Sequence, residues 1–92
     1  MKETHQSIIL QGDFGRLTLN MTARSLVEHA HSEYNFIFKL GGGDTGFRVG
    51  GHELQLTDTC AILVNPWEPH AKLPSTGEPT LALTVLFTPA WL

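Results

Sequence analysis

Apolar runs of a few residues, cut by glycine or proline at intervals of about 8–12 residues, constrain this chain more than any other feature. Leu17, Leu19 and Met21 alternate with Thr18, Asn20 and Thr22, the period of a strand with one buried face. Phe36, Phe38 and Leu40 alternate with Asn35, Ile37 and Lys39, and both sets hold large apolar groups, which predicts a strand covered on both sides. Gly41-Gly42-Gly43-Asp44 predicts a turn. Gly50-Gly51, between Phe47-Arg48-Val49 and His52-Glu53-Leu54-Gln55-Leu56, predicts a tight hairpin. Ala61 to Val64 reads as a buried strand that Pro66 and Pro69 stop, and Leu81 to Phe87 alternates until Pro89. With Ser7 to Leu10 this makes seven or eight short strands and no helix, an all-β sandwich or barrel.

Such a barrel brings distant residues together across its interior, which gives weight to His29-Ala30-His31 and His70. Residues i and i+2 of a strand leave the same face about 6.5–7 Å apart, so His29 and His31 can converge on one guest and His70 can close the site. Neutral imidazole suits Zn, Fe, Ni or Mn alike, and the same three side chains can also line a polar pocket that holds no metal. If the strand is unbroken, parity runs from His29 and His31 through Glu33 to Asn35. Asn35 then stands where an acidic ligand would serve a metal best. An amide both donates and accepts, which suits hydrogen bonding to a small polar molecule. Trp67 lies on the loop that presents His70, and its indole is expected to wall or cap the pocket. Arg48 and Lys39 are expected to be solvated, Glu33 likewise. His5 and His52 have no partner pattern.

With 92 residues there is room for one domain. A net charge of −3 and scattered lysines and arginines exclude nucleic-acid binding by these residues alone. A lone cysteine, Cys60, excludes an internal disulfide and a four-thiolate zinc cluster; set in Cys60-Ala61-Ile62-Leu63-Val64, it reads as a buried, inert thiol. No signal-like leader opens the chain and no apolar run is long enough to span a bilayer, so a soluble cytoplasmic protein is expected, with no membrane partner. The sequence holds no phosphate loop, His-Glu-x-x-His, Gly-x-Ser-x-Gly or deaminase pattern.

The order His29-x-His31, the run through Phe38 to Gly41, Phe47 to Gly51, Leu56-Thr57-Asp58 and Leu63-Val64-Asn65-Pro66-x-x-x-His70 resembles the cupin barrel. More narrowly it is similar to the N-terminal sensor domain of AraC-type transcriptional regulators. The likeness covers about residues 15 to 92. It implies a cupin-like jelly roll over residues 13–92 behind an arm and first strand at 1–12. It also implies an effector pocket lined by His29, His31, Asn35, Trp67 and His70, a homodimer, and contact with DNA only through a helix-turn-helix domain beyond this chain. Asn35 stands where metal-binding cupins carry glutamate. The apolar end Thr88-Pro89-Ala90-Trp91-Leu92 adds the expectation of a fragment of a longer chain. The leading expectation is therefore a sensor and dimerisation domain without catalysis. The alternative is a stand-alone metallo-cupin enzyme, a dioxygenase or isomerase, with His29, His31 and His70 on a divalent ion.

Overall fold

The computed structural model describes residues 5–22, 25–74 and 77–90, and among these there are nine strands and no helix. They are β1 (His5–Gly12), β2 (Gly15–Thr22), β3 (Leu26–His29), β4 (Tyr34–Gly42), β5 (Thr45–Val49), β6 (His52–Leu56), β7 (Ile62–Val64), β8 (His70–Lys72) and β9 (Thr80–Phe87). Two antiparallel sheets face each other, one ordered β1-β2-β9-β4-β7 and the other β3-β8-β5-β6. The all-β expectation holds. The β5–β6 hairpin closes on Gly50 and Gly51 with φ of 55° and 85°. Positive φ at both central residues is the twist a two-residue hairpin needs, and glycine supplies it without a Cβ clash.

The inner faces of the two sheets divide into a dry end and a cavity. Ile37, Phe47, Val49, Leu56, Ile62 and Val64 pack into a buried cluster beneath β4, β5, β6 and β7. Beside it lies a cavity of about 290 Å³, whose β2 wall is Arg16, Thr18 and Asn20 and whose β9 wall is Thr80, Ala82, Thr84 and Leu86. This reverses the expected sense of β2. The polar members of its alternation face inward, and Leu17, Leu19 and Met21 occupy the outer face.

Cross-strand register carries the reversal across the whole sheet. Leu10, Leu17, Val85, Phe36 and Leu63 are successive partners from β1 to β7, and Ile8, Leu19, Leu83 and Phe38 form the next outward row. Within these rows Ile8 is 62 % exposed, Leu10 61 %, Leu63 49 % and Phe38 38 %. β4 is thus covered on one side within the chain, not on both. Asn35 and Ile37 are buried beneath it while Leu40 is exposed above.

Three other expectations are corrected. Cys60 is exposed, because the chain turns at the Thr57–Cys60 bridge before β7 begins. Lys39 is not simply solvated: its Nζ lies 2.7 Å from Asp44 and 2.8 Å from Asp58. These carboxylates hold its pKa above the usual lysine value, chiefly through their hydrogen bonds. Gly41 and Gly42 do not leave the sheet, since β4 runs to Gly42 past an irregularity between Lys39 and Gly41.

Candidate metal and ligand site

β3 and β8 bring the first two imidazoles together directly. His29 ends β3, His70 begins β8, and the two are cross-strand partners. Their ring centroids are 4.2 Å apart. His31 lies beyond the end of β3, because the strand breaks after His29 and β4 begins only at Tyr34. Parity along one unbroken strand therefore does not operate. His31 is held instead by its backbone, whose carbonyl accepts a 2.7 Å hydrogen bond from the Trp67 N–H. Its ring centroid lies 5.5 Å from that of His29 and 4.8 Å from that of His70. One nitrogen from each ring can be chosen so that all three lie within 4.8 Å of one another.

Backbone carbonyls fix two of these rings. The Nδ1 atoms of His29 and His70 lie 2.9 Å from the Val27 oxygen and 3.0 Å from the Glu68 oxygen. A carbonyl oxygen can only accept, so Nδ1 donates and the free lone pair falls on Nε2. In His70 that Nε2 is buried with no hydrogen-bond partner. Burial pushes the His70 pKa below the usual histidine value, opposed by the bond to the Glu68 backbone and reinforced by the neighbouring His29 and His31. The ring is held neutral, the state a metal ligand needs. The Nδ1 of His31, 3.5 Å from a Glu33 carboxylate oxygen, is also buried without a hydrogen bond.

Asn35 is 5 % exposed and lines the cavity, with its Oδ1 buried and unpartnered. A buried polar atom without a partner costs roughly 1–3 kcal/mol, and three of them around one cavity match a guest that accepts their lone pairs. Nitrogen donors from three imidazoles suit a borderline divalent metal, and three protein ligands leave positions open for a substrate. The residues present fit such an ion.

Trp67 does not wall the pocket. Its side chain is 68 % exposed and absent from the cavity lining. Its backbone has φ of 62°, a left-handed conformation uncommon for a bulky residue, and this turn aims its N–H at His31 while the indole points to solvent. Sequence reasoning missed Lys72, Arg16, Thr18 and Thr84, all of which line the cavity. Lys72 had a signal: it stands two residues beyond His70 on β8, and so shares its face. It is 9 % exposed, and burial lowers its pKa below the usual lysine value.

No protein-family model and no curated protein matches the sequence. Solved structures do. The DMSP lyase DddQ from Ruegeria pomeroyi superposes with a TM-score of 0.77 at 19 % identity over 90 % of this chain, which spans only 46 % of the lyase. A cupin superfamily protein from Desulfitobacterium hafniense gives 0.76 at 18 % identity, covering 91 % of this chain and 78 % of its own. A double-stranded β-helix protein from Klebsiella pneumoniae gives 0.77 at 14 % identity, covering 95 % and 77 %. The chain has the cupin, double-stranded β-helix fold. The likeness reaches the fold and goes no further toward AraC-type regulators than toward other cupins.

Proposed function

We propose that this barrel is a metal-dependent cupin enzyme acting on a small polar molecule, with His29, His31 and His70 as the metal ligands. The observation that carries this is the convergence of three imidazoles on one cavity, with the Nε2 of His70 buried and unpartnered. An ion bound there supplies Lewis acidity to an oxygen of the substrate. The chain's own groups do the rest. Val27 and Glu68 carbonyls keep Nδ1 of His29 and His70 protonated and the rings oriented. Asn35 offers an amide oxygen toward the same space, and Thr18 and Thr84 offer hydroxyls from the opposite strands. The facing sheets exclude bulk water from a cavity sized for a small metabolite. One neighbour in fold is a lyase, which supports an enzyme reading by analogy alone.

A second reading is effector sensing, as in the AraC-type resemblance. One observation favours it: no aspartate or glutamate lines the cavity, so the imidazoles are its only acid–base groups near neutral pH. Elemental analysis of protein purified without a histidine tag tests the first reading. It expects stoichiometric zinc, iron, nickel or manganese, lost in a His29→Ala, His31→Ala double variant. Metal-free wild-type protein that takes up none of these ions in titration would overturn it and leave sensing as the better account.

A further inference from the structure

The charges of the cavity have one sign. Lys72 enters from β8 and Arg16 from β2, and no acidic side chain is among the residues that line the space. Lys72 is buried to 9 % exposure, and the hydrogen bond printed by its geometry, 3.3 Å to the Leu73 carbonyl, leaves its full positive charge in place. Arg16 shares a cross-strand row with Leu86 and Asn35, which puts its base on the histidine-facing side of the five-stranded sheet. Cations gathered in a low-dielectric space repel one another unless an anion joins them, and a divalent ion at the histidines increases that imbalance. Hydroxyls of Thr18 and Thr84 can donate to the same anion.

We infer that the ligand of this cavity is a small organic anion, its carboxylate or phosphate met by Lys72 and Arg16 and its other end directed toward the three histidines. This rests on the proposed function only in taking the cavity as the ligand site. Calorimetric titration at low salt tests it, with malonate, inorganic phosphate and neutral malonamide as probes, into chelator-treated and metal-loaded protein. Malonate or phosphate is expected to bind the chelator-treated protein, malonamide at least about tenfold more weakly, since a hydrogen bond to a charged group contributes roughly 1.5–3 kcal/mol. Lys72→Met and Arg16→Gln are each expected to weaken the anion at least about tenfold, and Lys72→Arg to retain most of the affinity. Arg16 is exposed, so its variant reads out even if Lys72→Met does not fold. Equal binding of malonamide, no anion binding, or anion binding indifferent to both charge removals overturns the inference, whatever the metal content. Charge-dependent anion binding by a protein that takes up no metal upholds it and overturns the metal reading instead.

A separate observation concerns the outer face of the five-stranded sheet. Two unbroken apolar rows cross it without a charged residue, through Leu10, Leu17, Val85, Phe36 and Leu63 in one and Ile8, Leu19, Leu83 and Phe38 in the other. Strand spacing of about 4.8 Å and rise of about 3.3 Å make this face about 24 Å by 26 Å, a plane of about 600 Å² before side-chain relief is added. A standard interface needs about 800 Å² of accessible surface from each partner, which a side-chain-covered face of that size approaches. The sequence of β4 also has the two-sided apolarity of a strand that is covered twice.

We propose that this face is covered by the same face of a second copy, stacked about a twofold axis. Self-stacking brings no like charges together although the chain carries −3 overall. Sedimentation velocity across micromolar concentrations is expected to show a dimer, and Ile8→Lys with Phe38→Lys a monomer of unchanged circular dichroism. Wild-type protein that stays monomeric, or a dimer indifferent to both charges, overturns it.

Discussion

Replacing Asn35 by leucine should stabilise the metal-free protein while weakening its site. Asn35 is 5 % exposed, its Oδ1 is buried without a partner, and its cross-strand neighbours Leu86 and Val64 are apolar and buried. Removing an unsatisfied buried oxygen returns about 1–3 kcal/mol. The larger leucine has room, because the side chain borders the cavity and not the dry cluster. Any bond the amide nitrogen donates offsets about 1 kcal/mol, and the added apolar burial recovers a similar amount. The net gain of about 1–3 kcal/mol should raise the melting temperature of chelator-treated protein by about 4–8 °C per kcal/mol, as in other domains of this size. Differential scanning calorimetry measures this directly. Metal or ligand affinity, read by chelator competition, should fall in the same variant, the usual trade between a strained site and a stable fold. A lower melting temperature for Asn35→Leu in metal-free protein would show that the oxygen is satisfied in solution, and the orphaned-donor account of the cavity would fail.

Two further outcomes follow from the same geometry. Trp67→Gly should leave metal uptake unchanged, since glycine accepts the 62° φ and keeps the N–H; Trp67→Pro should abolish it, because proline removes the donor to the His31 carbonyl and fixes φ near −65°. Equal effects of the two substitutions would mean that the indole matters and the backbone does not. The pH dependence comes from His70, whose pKa is lowered by burial first and by His29 and His31 after. The unfolded chain takes up a proton at the ordinary value of 6.5 while the fold resists it, so stability is full above that range and falls as pH drops through it toward the folded value. Urea melts of chelator-treated protein between pH 8 and pH 5 should show a slope of at most about 1.4 kcal/mol per pH unit from this group, flattened in His70→Gln. A slope that persists unchanged in that variant would move the effect to other residues.

The all-β architecture and the His29, His31, His70 cluster were legible because both depend on local spacing, which the sequence displays directly. What failed was sidedness. Alternation in β2 separates Leu17, Leu19 and Met21 from Thr18 and Asn20 but does not say which set faces the core. A polar face turned to a ligand cavity and an apolar face turned to a partner give the same pattern as the ordinary reverse. Cys60 shows the matching failure at a strand end: it has the parity of the buried Ile62 and Val64, yet it lies before β7 begins, where parity no longer decides direction. Trp67 failed for a third reason, a left-handed backbone at a residue type that seldom adopts it, imposed by the loop that joins β7 to β8. Lys72 is the instructive case, because His70-x-Lys72 on one strand implies a cation beside the imidazoles by the same parity argument as His29-x-His31. Applied to β8 as to the first pair, that rule turns a three-histidine cluster into a positively charged pocket, and so narrows the guest from any small polar molecule to an anion.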